Sequence, residues 1–121
     1  MPTTTGYLTT HVLDTALGVP AAGMPIELFK VEDETHQSIC HVLTNADGRT
    51  DSPILPNDQF STGIYELIFD VETYRAVQIG DDAALRFFDK VPIRFRISDP
   101  NRHYHVPLLI SPFGYSTYRG S

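Results

Sequence analysis

The chain has 121 residues, a formal net charge of −6 at neutral pH, and hydrophobic and charged fractions of 41% and 20%. This length predicts one domain over residues 1–121, and the ordinary composition excludes a disordered protein. The acidic balance argues against a nucleic-acid partner, and the lack of a long apolar run or signal-like N-terminus argues against a membrane partner. Cys40 is the single cysteine, which suits a reducing compartment, so we expect a cytoplasmic protein.

The first half of the chain carries short β-type segments separated by turn signals about every ten residues, as in all-β domains. We predict strands over 7–14, 24–32 and 38–44, with a Gly- and Pro-containing loop between the first two. The third strand ends at the turn 45–48, because its Asp-Gly pair supplies a residue that accepts positive φ. Arg49 directly follows this turn.

The second half contains the one predicted helix. After a loop at 52–63 and a strand over 64–71, apolar and long side chains recur at a spacing of three to four residues, which predicts a short helix over 71–80 that ends at Gly80. The remaining predicted strands cover 91–97, 103–110 and 115–119. About eight strands and one helix in a chain of this length indicate a two-sheet β-sandwich.

Pro92 and two arginines mark the strand predicted over 91–97. Because proline cannot donate a hydrogen bond to a sheet, this strand lies at a sheet edge or is irregular at that point. Arg94 and Arg96 share one face of the strand, where they form either a small basic patch or two solvated charges.

The five histidines are the first candidates for chemistry. Period-2 geometry places His11 on the less apolar face of the first strand, and it places His103 and His105 together on the less apolar face of strand 103–110. Single histidines on such faces are usually solvated, and His36 and His41 are expected to be solvated or structural. A His-x-His pair with His11 is also a conceivable zinc site, but the signal is weak without a cysteine partner.

Three stretches resemble the 5-hydroxyisourate hydrolase family, whose members are related to transthyretin. They are LTTHVLDTALGVPAAGMPIEL at 8–28, TNADGRTD at 44–51 and HYHVPLLISPFGYSTYRGS at 103–121. The closing YRGS separates the hydrolases from the hormone carrier, which resembles this chain around LDTALGVPA and LISPFGYST. The departures are modest: Lys90 and Pro92 bear on edge-strand packing, and Phe113 stands where tyrosine is commoner.

The resemblance implies a transthyretin-like (prealbumin-like) fold and a homotetramer, a dimer of dimers with active sites in the channel between the dimers. It also implies hydrolysis of 5-hydroxyisourate without a metal or other cofactor. The catalytic residues it implies are His11, Arg49, His105 and Ser121. The substrate-binding residues it implies are His11, Arg49, Tyr118, Arg119 and Gly120.

The implied reaction assigns roles to these residues. One imidazole activates water and the other orients the substrate and relays the proton, with His105 as the preferred base and His11 as the interchangeable alternative. Arg49 offsets negative charge, since its guanidinium stays charged. Competing interpretations are a non-catalytic transthyretin-like protein that binds a small ligand, a structural or adhesin-like sandwich, and a zinc hydrolase.

Overall fold

The computed structural model describes residues 5–79 and 86–120 and shows two four-stranded sheets packed face to face. This architecture confirms the predicted all-β, transthyretin-like two-sheet sandwich with a short helix. The elements are β1 (Tyr7–Asp14), β2 (Val19–Pro20), β3 (Pro25–Glu32), β4 (Thr35–Leu43), β5 (Gly63–Asp70), α1 (Val71–Ile79), β6 (Lys90–Ile97), β7 (His103–Ser111) and β8 (Gly114–Thr117).

The first sheet has the strand order β2-β1-β7-β8, and the second has the order β4-β3-β5-β6. Strands β1 and β7 pair in parallel from Tyr7 opposite His103 to Asp14 opposite Ile110. The other pairings between these strands are antiparallel. The parallel pair therefore joins strands from the two ends of the chain. In the sequence, all four strands of the second sheet lie between β1 and β7.

The core lies between the sheets, and its buried strand residues come from β1, β3, β5, β6 and β7. In β1, the buried Leu8, Thr10 and Val12 alternate with the half-buried Thr9 and His11, which confirms the predicted division of this strand into two faces. Burying each leucine or valine contributes about 1.5–3 kcal/mol. Apolar side chains that face the core from other strands include Ile26, Leu28, Leu67, Phe69, Leu108 and Ile110.

Helix α1 begins where predicted because Asp70 caps it. One carboxylate oxygen accepts the backbone N–H of Thr73 at 3.1 Å, and the other accepts the Thr73 hydroxyl at 2.8 Å. The helix is fixed to the first sheet through buried Asp14, which accepts from Tyr74 Oη and from Arg75 Nη1, each at 2.9 Å. The predicted end at Gly80 lies outside the described residues.

Several strand ends are shifted by one residue from the prediction, and larger differences occur at three strands. Strand β2 lies within the predicted loop, where it adds a two-residue edge to β1. Strand β4 begins at Thr35 because it pairs with β3 through polar residues that carry no apolar alternation. The strand predicted over 115–119 was too long: β8 ends at Thr117, opposite Leu108, and the chain then leaves the ladder.

Strand β6 is an edge strand of the second sheet, which is one of the two possibilities that Pro92 left open. Arg94 on this strand lies 3.2 Å from a carboxylate oxygen of Glu66, so it is paired and is neither a fully solvated charge nor a free member of a basic patch. No helix within the described parts of the chain is long and apolar enough to cross a membrane.

Candidate active site

Three imidazoles lie on the face of the first sheet that points away from the core. His11 belongs to β1, and His103 and His105 belong to β7. The parallel register places Thr9 directly opposite His105 and Tyr7 opposite His103. Period-2 alternation thus gathers these side chains on one half-buried surface.

Arg49 reaches this surface from the turn that follows β4. Gly48 has φ of 73°, and a Cβ there would lie 2.3 Å from the carbonyl oxygen of Val12, so the turn requires glycine. The backbone N–H of Val12 donates to the Gly48 carbonyl at 2.8 Å, and a β-bridge joins His11 to Arg49. His11 Nε2 donates to the Asp47 carbonyl at 3.0 Å, which orients its ring.

The Thr9 hydroxyl joins the two histidines of β7. Its oxygen lies 2.5 Å from His103 Nε2 and 2.7 Å from His105 Nδ1. The Tyr7 ring stacks on His103 with centroids 4.2 Å apart and an interplanar angle of 9°. Tyr7 and Thr9 were not among the predicted site residues, and His103 was predicted only as part of the weak zinc candidate. The shared face of Thr9 and His11 and the His-x-His spacing were the signals for them.

The C-terminal segment approaches His105 through Gly120. The Gly120 N–H donates to the His105 carbonyl at 2.7 Å, and a Cβ at Gly120 would lie 2.5 Å from His105 Cδ2. Only glycine therefore lets the backbone lie this close to the imidazole. Ser121, predicted as a catalytic residue, lies outside the described residues.

Tyr118 and Arg119 lie elsewhere. Both line a groove of about 290 Å³ between the edges of the two sheets. The Arg119 guanidinium lies 4.2 Å from the centroid of the Tyr104 ring, a cation–π contact, and Tyr118 is 60% exposed. Four of the predicted site residues lie close together within a single copy of the chain: His11, Arg49, His105 and Gly120.

A cleft of about 430 Å³ opens beside these groups. It is lined by His103 and His105 on one side and by Arg49 with the segment 50–53 on the other. Its size and its mixture of donors and acceptors suit a small polar ligand. Within 5–79 and 86–120, no three side chains of His, Cys, Asp or Glu are grouped to hold a metal ion.

The surroundings keep these imidazoles neutral at physiological pH. Burial, followed by the positive charge of Arg49, lowers the pKa of His11 from 6.5. Burial alone lowers the pKa of His103. Burial, followed by Arg49, His103 and His11, lowers the pKa of His105, against a hydrogen bond to the Thr9 backbone. A neutral imidazole beside a permanent cation can accept a proton while the cation holds an anion.

The sequence and the structure both match known proteins. The model of the HIUase/Transthyretin family matches residues 8–120. The chain therefore belongs to the HIUase/Transthyretin family, which confirms the predicted resemblance.

Among the similar proteins of this family are 5-hydroxyisourate hydrolases and a transthyretin. The chain is 52% identical to 5-hydroxyisourate hydrolase 2 of Rhizobium meliloti, over 96% of this chain and 97% of that protein. The structure of Klebsiella pneumoniae 5-hydroxyisourate hydrolase matches with a TM-score of 0.76 and 33% identity, covering 95% and 99% of the two chains. Sea bream transthyretin in complex with thyroxine matches with a TM-score of 0.82 and 29% identity, covering 93% of each chain.

The electrostatic coupling within the site predicts a selective response to loss of Arg49. In Arg49→Ala, the pKa values of His11 and His105 should rise, because the removed positive charge opposed their protonation. The pKa of His103 should stay unchanged, since burial alone lowers it. NMR titration of the histidine ring protons in both proteins measures the shifts. Equal shifts at all three histidines, or none, would contradict this arrangement.

Proposed function

We propose that this chain hydrolyses 5-hydroxyisourate to 2-oxo-4-hydroxy-4-carboxy-5-ureidoimidazoline, a step of urate breakdown. The observation that carries the proposal is the His105 imidazole, which lines a polar cleft opposite the Arg49 guanidinium and whose pKa is lowered by burial. The names of the Rhizobium meliloti and Klebsiella pneumoniae relatives support it. A carrier of the transthyretin type needs a ligand-binding surface but no base beside a cation.

The proposed chemistry uses only side chains of the protein. His105 takes a proton from water, and the resulting hydroxide adds to the ring carbonyl of the substrate. Arg49 stabilises the negative charge that develops on the carbonyl oxygen. The ring C–N bond then breaks, and a proton returns to the leaving nitrogen. His105 is favoured over His11 as the base because it lines the cleft, whereas His11 Nε2 is held by the Asp47 carbonyl.

The C-terminal residues complete the proposed site. Gly120 shapes the tail against His105, and Ser121, which follows it, is assigned a supporting catalytic role as a relay to the base. Tyr118 and Arg119 line the groove at the sheet edges, which is separate from the cleft. We therefore assign their contact with substrate to an assembly in which a second copy of the chain completes the cleft. A cytoplasmic location is proposed on the single cysteine, Cys40.

Loss of the base tests the function directly. Urate oxidase generates 5-hydroxyisourate in situ, and the decay of its ultraviolet absorbance is compared with and without the protein. The wild-type protein should accelerate the decay, and His105→Ala should lower the rate about 10²–10⁴-fold. The rate should fall in acid with a midpoint below pH 6.5, because the lowered pKa keeps His105 neutral to that point. Ligand binding without turnover would favour the carrier interpretation.

The contact between Gly120 and His105 makes a second prediction. Gly120→Ala should lower turnover on the order of 10²-fold, because the added methyl group forces the tail and the imidazole apart. Gly114→Ala is the matched control, since its Cβ would lie 3.5 Å from the nearest atom, Ser111 Oγ, an ordinary contact. Equal activity of the two variants would show that the tail does not position His105.

Exposed aromatic side chains support the proposed homotetramer. Phe87 and Phe113 are 67% and 64% exposed and lie in contact with Phe88 and Tyr115. The neighbouring strands β6 and β8 are both edge strands, whose free backbone groups can pair with a second copy. These features favour a dimer formed at the edges, and two such dimers would enclose the cleft.

Light scattering should therefore give the mass of four copies of the 13.5 kDa chain. Phe113→Ser should lower this mass and reduce turnover while all the proposed catalytic residues are retained. Val77→Ser, which removes a 79% exposed side chain from α1, is the control and should change neither. A smaller Phe113→Ser species with full activity would exclude a site that depends on assembly.

A further inference from the structure

The Thr9 hydroxyl occupies an unusual position for a threonine on an outer sheet face. It lies between two ring nitrogens, at 2.5 Å from His103 Nε2 and 2.7 Å from His105 Nδ1. The parallel pairing of β1 with β7 holds it there, since Thr9 is the direct partner of His105 and the next site on the same face pairs Tyr7 with His103. The three groups therefore form one continuous hydrogen-bonded chain within the site.

From this geometry, we infer that Thr9 is a positioning residue that fixes the tautomer of His105 and passes a proton from His105 to His103. The inference deepens the proposed hydrolytic function and rests on His105 being the base in that reaction. It also gives His103 a task, as the group at the end of the hydrogen-bonded chain.

The hydrogen-bonding capacity of the Thr9 hydroxyl supports one tautomer of His105, the one protonated at Nδ1. A hydroxyl donates one hydrogen bond and accepts others, so it can accept from one imidazole and donate to the other. If His105 is to act as a base through Nε2, a neutral ring must carry its proton on Nδ1, the atom that faces Thr9. Thr9 then accepts that proton in a hydrogen bond and donates its own to His103 Nε2. In this arrangement the free lone pair of His105 is on Nε2.

The same contacts provide a path for the proton. When His105 Nε2 removes a proton from water, the ring becomes an imidazolium. Its Nδ1 proton can pass to the Thr9 oxygen as the Thr9 proton passes to His103 Nε2. The net result is a neutral His105, an unchanged threonine and a protonated His103, so every proton is accounted for. The reverse transfer restores the base.

Burial opposes a positive charge on both imidazoles, but His103 holds it more readily than His105 does. The Tyr7 ring stacks on its imidazole at 4.2 Å, and an aromatic face attracts a cation. Arg49 opposes protonation of His105, and no such opposition acts on His103. Moving the charge to His103 therefore takes it away from the guanidinium.

Two substitutions separate the hydroxyl from the shape of the side chain. Thr9→Val keeps the branched shape and removes the hydroxyl, whereas Thr9→Ser keeps the hydroxyl. We expect Thr9→Val to lower kcat on the order of 10²-fold with little change in KM, and Thr9→Ser to retain most activity. Thr15→Val is the control: its hydroxyl donates to the Ile110 carbonyl at 2.8 Å, outside the cleft, and turnover should be unchanged.

Nitrogen-15 NMR of the histidine rings tests the tautomer without substrate. Wild type and Thr9→Ser should show His105 protonated at Nδ1, and Thr9→Val should show a mixture of the two tautomers. If wild type does not hydrolyse 5-hydroxyisourate, the proposed function fails, and these spectra alone decide the role of Thr9. If wild type is active and Thr9→Val matches it in both kcat and tautomer, the inference is wrong.

Discussion

The parallel pairing of β1 with β7 is the constraint on which the rest of the site depends. It aligns residues that lie about ninety-six positions apart in the chain, and it sets Thr9 against His105. A slip of one residue would turn His105 toward the core and bring Tyr104 or Val106 to the surface. The register is held from both sides of the sheet, because the buried Thr10 hydroxyl donates to the Val106 carbonyl at 2.7 Å. The backbone thus determines the geometry of the imidazoles before any ligand binds.

Two loop segments add further residues to the site on β1 and β7, and backbone contacts hold both segments in place. The Gly48 carbonyl accepts from Val12, which brings Arg49 beside His11, and the Gly120 N–H donates to the carbonyl of His105. Both contacts use glycine at a position where a Cβ would collide with its neighbour. The backbone at Arg49 and the backbone at Gly120 are thereby held against the first sheet. Because their positions do not depend on side-chain pairing, the charged and titratable groups remain available to a ligand.

The periodic part of this design was predictable from the sequence. Alternation correctly divided β1 into a core face and a polar face, and the Asp-Gly turn correctly placed Arg49 at the start of a new segment. The partners of each strand were not predictable, because pairing between distant strands leaves no local pattern. For that reason Thr9 was not predicted as a site residue, and His103 was considered only as part of the weak zinc candidate. In the C-terminal segment, adjacency in sequence did not predict position: Tyr118 and Arg119 adjoin Gly120, but the Arg119 guanidinium lies against the Tyr104 ring.

In the first sheet, β1 and β7 each use one face for the core and the other face for the site. The even-numbered residues of β1, such as Leu8 and Val12, fill the core, and the odd-numbered residues, such as Thr9 and His11, lie on the outer face that carries the site. Substitutions on the second face remove little buried apolar area, so they change chemistry at a small cost in stability. This separation allows the polar side chains of the outer face to change while the core and the fold are retained. The fold supplies the register, and a few polar side chains on one face decide whether the cleft only holds a ligand or also moves its protons.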